Sequence, residues 1–201
     1  MAFMIDEAYL PVTLSSPPMT DEEFLQLCAE YPDFRIEATA EGEIIIMAPT
    51  HPLTGDSNSG IVYQLVHWSR QDGRGRTYDS SSGFVLPNGA RRSPDASWIL
   101  KSRIMQIEPS NREGFWHLCP DFVIELKSGS DRLPSLKKKM REYMDNGAQL
   151  GWLLNPQSRS VMIYRPNREP ETRSDILYIE GEGPVAGFVL DLAEIWDPFG
   201  K

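Results

Sequence analysis

Pro120-Asp121-Phe122-Val123-Ile124-Glu125-Leu126-Lys127 is the stretch from which the fold can be read. From Asp121 onward it alternates. Phe122, Ile124 and Leu126 share one face of an extended chain, while Asp121, Val123, Glu125 and Lys127 share the other. Three bulky apolar side chains on one face require a partner layer, so this is a buried strand. Glu125 and Lys127 then lie roughly 6–7 Å apart on the opposite face, at about 3.3 Å per residue. Buried charges are costly unless they are paired or used. Two readings are open: a solvated strand face with a weak ion pair, or a metal-binding carboxylate beside a catalytic lysine. The spacing alone does not choose, because a chain of this length holds roughly one Glu-x-Lys by chance.

The surroundings narrow the choice. The chain has 201 residues, enough for one well-buried domain. Its apolar and charged fractions are those of a globular protein. No apolar run approaches the ~20 residues of a membrane span, and Met1–Leu10 lacks the basic start and apolar core of a signal peptide. Cys28 and Cys119 match no metal spacing and are expected to be reduced thiols. A cytoplasmic protein without membrane association is the expectation. The net charge of −9 argues against a protein that coats nucleic acid nonspecifically. It leaves room for a nuclease, whose cleft gathers carboxylates for metal while local cations hold phosphate. Such cations cluster at Arg74 and Arg76, at Arg91 and Arg92, at Lys101 and Arg103, and from Lys137 to Arg141.

Residues 1–19 carry Pro11, Pro17 and Pro18 without periodicity and read as an extended N-terminal arm; residues 20–201 read as a single domain. Thr20-Asp21-Glu22-Glu23 is a capping box that opens a short helix. Residues 34–37 and 43–47 read as a hairpin, 49–58 as a polar loop, and Ile61, Val62, Leu65 and Val66 as a helix stopped at Asp72-Gly73. Short strands come next at 76–79, 83–86 and 95–100, with a short helix near 110–116. After the key strand, Pro134 and Ser135 open a helix with the apolar stripe Leu136, Met140, Tyr143 and Met144, stopped at Asn146-Gly147. Residues 150–154 and 160–164 read as a strand pair, with further strands near 176–179 and 188–190.

A metal at Glu125 needs a second acid. Asp121 lies four residues away on the same strand, about 13 Å along it, which a straight strand does not close; Asp121 is expected to be structural. Two oxygens on one Mg²⁺ stand within ~4.2 Å of each other. Asp95 begins a different strand, and neighbouring strands lie about 4.8 Å apart. If those strands pair, Asp95 and Glu125 can meet at one ion. The chemistry would be phosphodiester hydrolysis, with Mg²⁺ or Mn²⁺ polarising phosphate and Lys127 orienting water or offsetting developing charge. The alternative remains that Asp95 caps a turn and Glu125–Lys127 is a surface pair. His51, His67 and His117 show no ligand spacing, and Ser80-Ser81-Ser82-Gly83 reads as a turn.

The chain resembles the Uma-two family of restriction endonucleases, within the PD-(D/E)XK nuclease superfamily. The runs that carry the resemblance are Arg35-Ile36-Glu37 through Ile46-Met47-Ala48-Pro49, Asp79-Ser80-Ser81-Ser82-Gly83-Phe84 and Leu86-Pro87-Asn88-Gly89-Ala90. They continue through Ser93-Pro94-Asp95-Ala96-Ser97-Trp98, Cys119 to Ser128, Lys139-Met140-Arg141-Glu142-Tyr143 and Asn146 to Trp152. Together they span most of residues 33–196. The resemblance implies an α/β fold with a restriction-endonuclease-like mixed β-sheet flanked by helices, and a divalent-metal site. It carries Asp95 and Glu125 over as ligands and Lys127 as the catalytic lysine, with Glu37 at an early acidic position. Many relatives lack lysine at the position of Lys127 and recruit one from the following helix. Lys139, at the edge of that helix's apolar stripe, is therefore the reserve. Arg91, Arg92 and Lys139 are the expected nucleic-acid contacts. A homodimeric, metal-dependent endonuclease acting on DNA is the expected whole. A non-catalytic nucleic-acid-binding module and a homo-oligomeric scaffold or regulator on the same fold are the alternatives.

Overall fold

In the computed structural model, residues 10–17 and 19–200 are described. The key stretch is strand β9 (Phe122–Leu126), buried along its whole length. It lies inside a six-stranded mixed sheet. Its neighbours are β7 (Ala96–Leu100), antiparallel, and β10 (Leu150–Asn155), parallel. Outside these lie β4 (Gly75–Asp79) beyond β7, and β11 (Ser160–Tyr164) then β12 (Glu171–Ser174) beyond β10. The expected pairing of the Asp95 strand with the Glu125 strand is present: Ala96 lies opposite Ile124.

The alternation read from sequence decides which layer covers which face. Phe122, Ile124 and Leu126 join a core with Trp98, Trp152, Leu154 and Phe188, closed by Ile61 and Leu65 of α2 (Pro52–Asp72) and by Ile195 of α5 (Ala193–Trp196). Val123 faces the other way, into a core with Leu153, Met140 and Tyr143. The last two belong to α4 (Leu133–Asp145), an amphipathic helix with Pro134 in its first turn. A two-stranded sheet of β13 (Tyr178–Glu180) and β14 (Val189–Asp191) lies beside α2. None of the described helices is long and apolar enough to cross a membrane.

A second six-stranded sheet is built from the N-terminal part of the chain. Its order is β1 (Val12–Ser15), β3 (Glu43–Met47), β2 (Arg35–Ala38), β6 (Arg91–Arg92), β5 (Phe84–Val85) and β8 (Trp116–His117). Ile36, Ala38, Ile44 and Ile46 pack with Phe24 of α1 (Asp21–Glu30), whose expected capping box is formed by Thr20 and Glu23. By alternation Arg35 and Glu37 face away from that core. The expected extended arm falls outside the described residues over 1–9 and at Pro18; within it Val12–Ser15 is a strand that pairs with β3.

Two expected elements differ. The polar loop over 49–58 is largely the start of α2, which begins at Pro52, where a missing N–H costs nothing. Burial of Ile61, Leu65 and Ser69 anchors the later turns. Cooperative propagation then carries the helix back through its Gly- and Ser-rich start. The helix expected over 110–116 is a 3-10 turn at Pro109–Asn111 followed by β8, because Trp116 and His117 pair with Phe84 and Val85. A short helix, α3 (Lys101–Ile104), precedes them.

Candidate active site

The two sheets meet at Arg92-Ser93-Pro94-Asp95, where the chain leaves β6 of one and enters β7 of the other. Each sheet brings charge to this crossing. From β2 come Arg35 and Glu37, from β6 Arg92, from the approach to β7 Asp95, from β9 Glu125, and from α4 Lys139. Three acids and three bases are thus gathered, and Glu37, Asp95, Glu125 and Arg92 are buried.

Lys139 is central. Its Nζ stands 2.8 Å from Glu37 Oε1 and 2.8 Å from Glu125 Oε1. One turn on along α4, the Tyr143 hydroxyl donates to Glu125 Oε1 at 3.0 Å. Glu37 also accepts from the Ser93 amide at 3.1 Å and from Arg92 Nη1 at 3.3 Å. Arg92 in turn donates through Nε to Glu142 at 2.6 Å. Asp95 is held from two sides: the Leu126 amide donates to Oδ2 and Arg35 Nη1 to Oδ1, both at 2.8 Å. Arg35 also donates to the Ser93 carbonyl.

One ammonium cannot neutralise two buried carboxylates equally, and the pair divides. Burial pushes Glu125 above the usual carboxylate range; Lys139 opposes this, but the nearby Asp95 and Glu37 charges reinforce it. Burial acts on Glu37 in the same sense, yet Lys139, Arg92 and Arg35 together hold it below that range. Burial alone would lower Lys139, but Glu125 and Glu37 raise it, so it stays an ammonium. Tyr143 is raised by burial and by Glu125, so it remains a neutral donor.

The donor set fits a hard divalent cation. Asp95, just before β7, and Glu125, on the adjacent β9, are buried all-oxygen donors; burial raises Glu125, and the nearby Asp95 charge adds to that. Among the described residues there is no group of three or more His, Cys, Asp or Glu side chains that could hold a metal ion. Asp95 and Glu125 are the residues that would hold such an ion, with water and phosphate completing its shell.

The remaining expected residues are dispersed. Lys127 lies just beyond the end of β9, and its Nζ is turned to the Ser128 carbonyl at 2.9 Å and Gln157 Oε1 at 3.2 Å. The lysine in contact with Glu125 is Lys139. Arg91 and Arg92 part company because successive strand residues face opposite ways. Arg92 lies in the cluster, whereas Arg91 lies over the Phe24 ring and pairs with Asp21 at 2.7 Å. Asp121 is structural as expected, accepting from the Leu100 amide, Arg103 and Gln149. His117 contacts Asp21 and His67 contacts Gln71. Ser81 and Ser82 turn onto Asp79. Arg35, Glu142 and Tyr143 join the cluster although the sequence assigned them no part in the site. The signals that point to them are the Arg35-x-Glu37 spacing on a strand and the Lys139–Tyr143 spacing of four on a helix.

Comparison with known proteins agrees with this architecture. A family model, Uma2, described as "Putative restriction endonuclease", matches residues 21–193. Among solved structures, "a putative nuclease belonging to DUF820" from Anabaena variabilis ATCC 29413 superposes with a TM-score of 0.74. It is 24% identical, with 89% of this chain and 98% of that chain covered. No curated protein matches.

Proposed function

Since this chain belongs to the Uma2 family, we propose that it is a metal-dependent endonuclease that hydrolyses phosphodiester bonds of nucleic acid, DNA in the first instance. The observation that carries the reading is Lys139 Nζ held 2.8 Å from Glu125 Oε1, beside the Asp95 carboxylate on the neighbouring strand. Asp95 and Glu125 would hold Mg²⁺ or Mn²⁺, which polarises the phosphate and lowers the pKa of a coordinated water. Lys139 supplies a fixed positive charge for the negative charge that gathers as the nucleophile adds to phosphorus. Glu37 and Tyr143 keep it in place: one anchors the ammonium and the other orients Glu125. Lys127, first in line on the sequence, yields to Lys139 because its ammonium is engaged elsewhere.

The test compares Lys139→Ala and Lys127→Ala in Mn²⁺-dependent cleavage of plasmid and single-stranded DNA, with Mn²⁺ binding measured alongside. Lys139→Ala should lose about 10²–10³ in rate, and Lys127→Ala should cleave like wild type. The reverse ranking would return the role to Lys127. Metal-supported DNA binding without any cleavage by wild type would leave a non-catalytic binding module.

A further inference from the structure

Of the three cations in the cluster, Arg35 is placed differently from the other two. Arg92 is only 6% exposed, and its guanidinium is spent on Glu37 and Glu142. Lys139 is 11% exposed and spans two carboxylates. The Arg35 side chain is 29% exposed, the most of the three, so it lies nearest the mouth of the cluster. Its bonds are also incomplete. Nη1 binds Asp95 at 2.8 Å, and Nη2 binds the Ser93 carbonyl with Glu37 Oε1 more distant at 3.7 Å, but the Nε–H is buried without a hydrogen-bond partner. A buried donor left unpaired is unfavourable, and a guanidinium fork is shaped for two oxygens of one anion.

The two oxygens of Asp95 are held differently. Oδ2 is fixed by the Leu126 amide, which belongs to the strand itself and does not move away. Oδ1 is the oxygen available for exchange, and Arg35 occupies it. A guanidinium and a dication on the same buried oxygen repel each other strongly, because little solvent screens them.

We propose that Arg35 is a displaceable counter-ion: it neutralises Asp95 while no metal is bound, and on metal binding it is released from Oδ1 and takes a phosphate of the nucleic acid. The inference rests on the nuclease reading. It assigns Arg35 two successive anionic partners and makes metal and nucleic acid bind cooperatively. Each supplies what the other displaces: the dication replaces the charge on Asp95, and the phosphate receives the freed guanidinium. Arg35 touches the substrate only in the second state.

The experiment uses the full chain and three proteins: wild type, Arg35→Gln and Arg35→Lys, each checked for a cooperative thermal transition. Mn²⁺ binding is measured by calorimetry without nucleic acid. Binding of a fluorescent DNA duplex is measured against salt concentration, with Ca²⁺ as the dication. Arg35→Gln should bind Mn²⁺ about tenfold more tightly than wild type, since nothing competes for Asp95. Its DNA affinity in Ca²⁺ should fall, with the salt slope shallower by about 0.9 for one lost phosphate contact. Arg35→Lys keeps the charge and loses the fork, so its Mn²⁺ affinity should match wild type while its DNA affinity drops. If Arg35→Gln proves unstable, the Arg35→Lys arm decides alone. Weaker Mn²⁺ binding in Arg35→Gln, or an Arg35→Lys variant with wild-type DNA affinity, would overturn the proposal by making Arg35 a structural clamp on Asp95. If no protein in the set, with or without DNA, binds Mn²⁺, the nuclease reading itself falls and this inference with it.

Discussion

At the residue scale the cluster makes opposite demands on two glutamates that look alike in sequence. Glu37 has its proton affinity lowered, so its contribution to stability is present above the unfolded value of 4.5 and is lost as pH falls below it. Glu125 has its proton affinity raised, so its contribution is present below 4.5 and is lost as pH rises through the folded value. In metal-free buffer, Glu37→Gln should therefore melt lower than wild type at pH 7, with the gap closing on acidification. Glu125→Gln should melt higher than wild type at pH 8, with its gap also closing on acidification. Thermal melts from pH 3 to 9 check both, and a Glu125→Gln protein less stable than wild type at pH 8 would show that its charge is fully compensated. The strand pairing that brings Asp95 beside Glu125 was legible because a Pro-Asp strand start and an alternating strand are local patterns. The sequence did not disclose that Lys127 turns away, because that depends on the path of the chain beyond the last paired residue of β9. Nor did it reveal that Arg35 meets Asp95, a contact across sixty positions of chain.

At the element scale the site depends on how closely strands and helices approach. Gly75 of β4 lies under Trp98 of β7: a Cβ there would stand 2.1 Å from the indole ring and 2.6 Å from the Ile99 carbonyl. Neither neighbour is a flexible chain end, and Trp98 is pinned by its Nε1 donating to Ser69 at 2.9 Å. Gly75→Ala should thus cost about 1–3 kcal/mol through overpacking, seen as a lower denaturant midpoint. Gly151, where α4 crosses β10, is the counter-case. Its Cβ would stand 2.5 Å from the terminal methyl of Met140 and 3.0 Å from that of Met144, and both can rotate away. Gly151→Ala should be the milder of the two, and equal losses would mean that Met140 has no free rotamer. The α4 helix and the β9–β10–β11 strands were legible because their periods are strong and their ends carry Pro, Asn and Gly. The start of α2 was not, since its Ser- and Gly-rich first turns look like loop until the buried turns behind them are known.

At the scale of the whole molecule, a chain of net charge −9 is expected to meet a polyanion. The cations of the cluster are already committed to carboxylates, so the metal-free protein has little spare charge to offer there. DNA binding should accordingly be weak in EDTA and tighten several-fold in Ca²⁺, measured by anisotropy at fixed ionic strength. Equal binding in both buffers would move the contact to exposed cations such as Lys138 and Arg141. Fold class was legible at this scale through the order of motifs along the chain, whereas the division into two sheets hinged at Ser93-Pro94 was not, because short strands such as β5, β6 and β8 carry almost no period. The same hinge has a consequence for synthesis. The cluster draws on positions 102 residues apart, from Glu37 to Lys139. On a ribosome adding about 5–20 residues per second, roughly 5–20 s separate the two. Throughout that interval the nascent chain carries Glu37 without the ammonium that pairs with it, and Glu125 is added only shortly before Lys139. The last component arrives on a helix made after both strands that need it, so a half-made copy tethered beside its own messenger RNA cannot assemble the centre.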